Sequence, residues 1–267
     1  MKKILMVLAA TLICGACLFT SCKKDDNLNV AEKIVGMWIV ADTDGQPAAT
    51  NEKIVFDIVS TTEAYVSLSI QDRTAEDTPW SDREEIDVEI NGNDVILSHS
   101  PKPGMTVVVG LHIESITDAT LTAKRTVTIR QDGGLVKSSE NKVRYEKMNV
   151  NYRNAICGYW IGRMTSAESE YGDIGNHGWE FNDDGTFVYF TPNALDNEMI
   201  ESEDEYADYF VAGNLLCTRW KNVGEGQEEH REWWEITING DVMNWTALRK
   251  RADGTTYTAT YEMEKWK

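Results

Sequence analysis

Two stretches decide the fold: EKIVGMWIVADTDG at residues 32–45 and NAICGYWIGRMTSA at residues 154–167. Each sets a glycine two residues before a tryptophan at the head of an apolar run. Working outward, TAKRTVTIRQDG ends at Gly133 and NWTALRKRADG ends at Gly254, while KVRYEKM at 142–148 is matched by TATYEMEK at 258–265. Chance likeness between strands can imitate one such match, but three in the same order indicate a duplicated unit of roughly 115 residues, within the ordinary size range of a domain.

Within each copy, alternation of apolar and polar residues between turn signals predicts eight strands. In the first copy they fall at 35–42, 51–59, 62–71, 82–90, 94–100, 105–116, 119–130 and 134–147. In the second they fall at 157–164, 177–181, 186–190, 206–211, 214–221, 228–238, 241–250 and 255–265. NGND at 91–94, NDDG at 182–185, NGD at 239–241 and RADG at 251–254 supply the Asn, Asp and Gly residues that tolerate positive φ in tight hairpins. No segment carries a long helical period. Eight short antiparallel strands avoid exposed edges by closing on themselves, so the expected class is all-β with two tandem eight-stranded barrels. β-Sandwiches are the runner-up.

Gly36-Met37-Trp38 and Gly158-Tyr159-Trp160 resemble the GxW signature of lipocalins and of the smaller lipocalin-like domains of bacterial lipoproteins. The resemblance implies that Gly36, Trp38, Gly158 and Trp160 form the floor of each barrel, with ligand entering from the other end. The later lipocalin signature segments are not recognisable, and the copies are shorter than typical lipocalins. The resemblance therefore does not extend to a deep cavity.

The beginning of the chain points to a location. Two lysines precede an uncharged run from Ile4 to Thr20, which is followed by LFTSCKKDD at 18–26. The run is short for a membrane span and has the layout of a secretory signal. Its end resembles the lipobox of bacterial lipoproteins, which implies removal of residues 1–21 and lipidation of Cys22. Lys24, Asp25 and Asp26 resemble the charged export signal of Bacteroidota-type surface lipoproteins. The expected division is a signal peptide at 1–21, a charged tether at 22–31, and lipocalin-like domains at 32–150 and 151–267. The expected location is the outer membrane, lipid-anchored and facing outward, with the periplasmic leaflet as the alternative.

The whole chain has a formal charge of −18, and loss of Lys2 and Lys3 with the signal makes it −20. Nucleic acid is excluded as a partner, because phosphate binding needs clustered Lys and Arg. The acidic block ESEDEYAD at 201–208 reads first as a solvated loop. DTDG at 42–45 lacks the later ligands of a calcium loop and reads as a turn. Of the five cysteines, Cys157 and Cys217 lie beyond the lipidation point and are open between a disulfide and two thiols. Nucleophile-elbow, HExxH and phosphate-loop motifs are absent, and His99, His112, His177 and His230 show no metal-ligand spacing. The expectation is accordingly no catalytic residue, no metal and no cofactor.

Strand parity supplies the candidate ligand site. Tyr257, Ala259, Tyr261 and Met263 share one face of the last strand, opposite Thr258, Thr260, Glu262 and Glu264. The same alternation sends Trp234, Ile236 and Ile238 inward, with Glu232 and His230 in register nearer one mouth. Trp179 and Phe181 add aromatic surface, with His177 in line. Trp179, His230, Glu232, Trp234, Tyr257, Tyr261 and Met263 are thus the candidate ligand-binding residues, although a small barrel can also be filled by its own side chains. In the first copy, Arg125 shares a face with Leu121, Ala123, Val127 and Ile129. It is expected to stack on a floor tryptophan such as Trp38 or to snorkel to solvent. The expected function is a non-enzymatic, lipid-anchored binding protein for a small apolar or amphipathic ligand. The alternative is an adhesion or assembly subunit that recognises protein or glycan through its outer surface.

Overall fold

Residues 28–49, 52–70, 80–166, 176–192, 198–250 and 253–267 are described by a computed structural model. Cys22, Lys24, Asp25 and Asp26 lie outside these residues. Among the described residues no helix is long and apolar enough to cross a membrane.

A four-residue helix, α1 (Val30–Lys33), leads into a first sheet of nine strands. These are β1 (Gly36–Thr43), β2 (Gln46–Pro47), β3 (Glu52–Ile58), β4 (Glu63–Ile70), β5 (Glu84–Asn91), β6 (Asp94–His99), β7 (Met105–Ile116), β8 (Thr120–Gln131) and β9 (Gly134–Lys147). Apart from the two-residue β2, each pairs antiparallel with its neighbours in the order β1-β3-β4-β5-β6-β7-β8-β9. β9 then returns to β1, from Trp38 opposite Lys147 to Thr43 opposite Val143, and closes an eight-stranded barrel. Closure is what the alternating pattern needs, because it satisfies the edge amides of both terminal strands.

The second sheet comprises β10 (Gly158–Met164), β11 (His177–Phe181), β12 (Phe187–Pro192), β13 (Met199–Glu201), β14 (Asp204–Ala212), β15 (Leu215–Asn222), β16 (His230–Asn239), β17 (Val242–Lys250) and β18 (Thr256–Lys265). Its order is β13-β12-β11-β10-β18-β17-β16-β15-β14, again antiparallel throughout. The sheet curls without closing along its length. β12 and β14 are joined at one end by a single bridge, Thr186 to Asp208, beside a hydrogen bond from the Tyr209 amide to the Gly185 carbonyl at 2.7 Å. The acidic block expected as a solvated loop is therefore largely strand: Asp204 to Asp208 pair with Asn222 to Arg219 across a bulge. Asp44 and Gly45, at φ 52° and 76°, make the DTDG segment the two-residue turn between β1 and β2.

The two interiors differ. Trp38, Phe56, Leu97, Leu111, Leu121 and Tyr145 pack the floor half of the first barrel so closely that about 10 Å³ is left between them. Arg125 does not reach Trp38, whose ring is covered instead by the Lys147 ammonium at 5.1 Å. Arg125 donates from Nε to Asn141 Oδ1 at 3.0 Å, its cross-strand partner.

A third apolar cluster joins the two sheets. Val55 and Trp80 from the first copy pack with Ala212, Leu215, Cys217 and Trp233 on the outer wall of the second. Trp80 is 3% exposed, donates from Nε1 to the Thr218 carbonyl at 2.9 Å, and meets Phe210 edge-on at 5.0 Å. Arg231 holds the Trp80 carbonyl at 2.8 Å, and Lys53 pairs with Glu235 at 3.1 Å. Cys217 lies in this seam. Cys157 lies beside Tyr209, Sγ to hydroxyl 3.7 Å, and the two cysteines are free thiols, not a disulfide.

Candidate functional site

The site is built upward from the repeated floor. Trp160 Nε1 donates to the Ile156 carbonyl at 2.6 Å, as Trp38 Nε1 donates to the Ile34 carbonyl at 2.6 Å. Each indole is then capped from the last strand of its own copy, Trp160 by the Lys265 ammonium at 5.0 Å and Trp38 by Lys147 at 5.1 Å. The glycine of GxW is needed for two reasons. Its φ is +129° at Gly36 and +119° at Gly158, a region that side chains other than hydrogen rarely enter, and an added Cβ would fall 2.6 or 2.7 Å from the capping lysine Cε.

Above the Trp160 floor the second barrel is hollow. A cavity of about 310 Å³ is walled by Trp179 on β11, Phe187 and Tyr189 on β12, Trp220 on β15, Trp234 on β16, Trp245 on β17 and Tyr261 on β18. That volume is roughly the share of ten waters in the liquid, at the lower edge of the range for small-molecule sites. The rings brace one another: Trp179 lies 5.0 Å from Trp245 and 5.5 Å from Tyr261, and Trp234 lies 5.5 Å from both Trp245 and Tyr261. Such offset and edge contacts hold the walls in place beyond simple burial.

Polar groups interrupt the aromatic wall at a few points. Asp204, Thr218 and Glu232 line the cavity. Glu232 Oε2 accepts from Trp234 Nε1 at 3.2 Å and faces the buried Arg249 guanidinium at 3.4 Å; the latter lies 4.2 Å over the Trp234 ring. Behind Trp179, His177 Nδ1 and the Tyr189 hydroxyl share a hydrogen bond, and the two rings stack at 5.6 Å. Burial lowers the His177 pKa and keeps the ring neutral. Burial, with the Glu232 charge second, pushes the Tyr189 phenol up to about 12 and raises Tyr261 as well. Asp204 is raised too, chiefly by burial, against a hydrogen bond from Ser202. Asp204 Oδ1 and Trp245 Nε1 are buried without a hydrogen-bond partner among the described residues.

No family model matches the sequence, and no curated protein matches it. Solved structures do match. One is a protein of unknown function from the DUF3598 family of Nostoc punctiforme, 11% identical with a TM-score of 0.26, the match covering 90% of this chain and 98% of that one. Another is a putative AttH from Nitrosomonas europaea, 8% identical with a TM-score of 0.28, covering 92% of this chain and 97% of that one.

Of the residues singled out by strand parity, Trp179, Glu232, Trp234 and Tyr261 line the cavity. Three others do not. Met263 sits across from Gly162 and Met243, fully buried near the floor, where the absence of a side chain at Gly162 lets it pack against the β10 backbone. Tyr257 is buried opposite Arg249 in the register of β17 and β18. His230, the first residue of β16, is exposed and stacks on Trp220 at 5.3 Å. The lining residues missed were Phe187, Tyr189, Asp204, Thr218, Trp220 and Trp245. Trp245 had a readable signal, since Met243, Trp245 and Ala247 alternate as cleanly as Tyr257 to Met263 do. Asp204 had none, because its inward turn depends on the β14 bulge between Asp204 and Tyr206.

Proposed function

We propose that the protein is a non-enzymatic binding protein that holds a small apolar or amphipathic ligand in the second barrel, anchored to the outer membrane through a lipid on Cys22 and displayed outward. The observation that supports the binding reading is the cavity itself, about 310 Å³ bordered by seven aromatic side chains of the second copy. Apolar contact then supplies most of the affinity, at about 25 cal/mol per Å² removed from water, and Glu232, Asp204 and Thr218 orient the polar end.

The test is a titration of the purified protein with alkanols, fatty acids, alkylamines and aromatic alcohols, following tryptophan emission. Saturable binding is expected, lost on Tyr261→Ala in the wall and kept on Glu262→Ala on the outer face. Absence of saturable binding by a folded protein, or the reverse mutational pattern, would overturn the reading and favour recognition by the outer surface. One feature favours that second reading: Leu135 and Val136, at the start of β9, are 60% and 65% exposed. For the anchor, Cys22→Ala is expected to release the protein from membranes; retention, with no acyl mass on the wild-type chain, would remove it.

A further inference from the structure

We propose that the cavity of the second barrel selects an organic cation, a quaternary or protonated amine on a compact apolar body. This rests on the binding reading above and adds the sign of the ligand charge. The first support is the composition of the wall. Four indoles and two phenols line the space, and an aromatic face attracts a cation through its quadrupole.

The second support is the charge balance. Two carboxylates, Asp204 and Glu232, open onto the cavity, and among the described residues one buried guanidinium at its edge, that of Arg249, is directed to Glu232 and to the Trp234 ring. The neighbouring cations on β15 and β16 point the other way, Arg219 to Asp208 and Asp82, Lys221 to Glu205, and Arg231 to Asp82 and Glu229. Among the described residues the cavity therefore carries one more negative than positive group. The third support is Asp204 itself, whose Oδ1 is buried and without a hydrogen-bond partner among the described residues, beside the aromatic wall. A buried, unsatisfied carboxylate oxygen is costly to the folded chain, and a ligand cation would relieve that cost. An anionic ligand such as a fatty acid would meet two carboxylates with one committed arginine between them.

Three probes of similar shape separate the outcomes: phenyltrimethylammonium, its neutral isostere tert-butylbenzene, and benzenesulfonate. Calorimetry and tryptophan quenching on the purified full chain are expected to give binding of the cation about tenfold or more tighter than the isostere, and none of the sulfonate. Asp204→Asn and Glu232→Gln are each expected to lower the preference for cation over isostere by about tenfold. If tert-butylbenzene or benzenesulfonate binds as tightly as the cation, or if neither substitution changes the preference, the charge inference is overturned while the hollow-barrel reading stands. If none of the three binds and the apolar panel above also fails, the binding reading falls and takes this inference with it.

Discussion

Gly158 is held by two constraints of different strength. The capping lysine Cε that an added Cβ would meet is the far end of a flexible side chain and can withdraw, but the backbone at φ +119° cannot relax without moving the start of β10. Gly158→Ala is therefore expected to cost about 1–3 kcal/mol, read as a lowered midpoint in urea with unchanged slope, and Gly36→Ala a similar amount. His177 gives a second prediction at this scale. Its folded pKa lies below the unfolded value, so between the two the unfolded chain binds more protons. Stability is then complete above about pH 6.5 and falls as pH drops below it, by no more than about 1.4 kcal/mol per pH unit. His177→Gln is expected to narrow the difference in stability between pH 7.5 and pH 5.5. An unchanged difference would show that His177 does not carry it.

The strands were legible wherever alternation ran for five residues or more between turn residues, as in β7, β9 and β18, whose limits in the fold match their sequence limits to within one residue. β2 and β13, of two and three residues, are too short to show a period. The incomplete closure of the second sheet was not legible either, because pairing between β12 and β14 depends on where their ends meet, not on what either strand contains. That difference is measurable. In the first barrel the closing pair β1–β9 runs from Trp38 to Thr43, whereas β12 and β14 share one bridge. Amide exchange is expected to be slow for the β1–β9 amides and faster by about two orders of magnitude for those of β14 that face β12, since local opening there breaks few contacts. Equal protection would mean that the second barrel closes in solution.

At the scale of the whole molecule, the seam between the two copies changes what either would present to water if separated. The seam left two traces in the sequence. Leu215 to Cys217 is apolar on both strand faces, and Trp233 and Trp234 are adjacent, so one must point away from the barrel interior; both are buried. Trp80 left no trace, since it stands among polar and charged residues with no period around it. Its indole is the largest group that the first copy contributes to the seam, and truncation removes the Thr218 hydrogen bond and the Phe210 contact as well as the buried area. Trp80→Ala is expected to cost about 3–5 kcal/mol. The cost should appear in a particular form. With the seam intact, each sheet is stabilised by the other, and calorimetry should give one cooperative transition. Without Trp80 the coupling weakens while both interiors stay packed, so the single transition should separate into two, the earlier one accompanied by exposure of Trp233. A single transition merely shifted downward would show that the two sheets share one folding unit through contacts other than this indole, with Lys53–Glu235 and the Arg231 bond to the Trp80 carbonyl the next to remove.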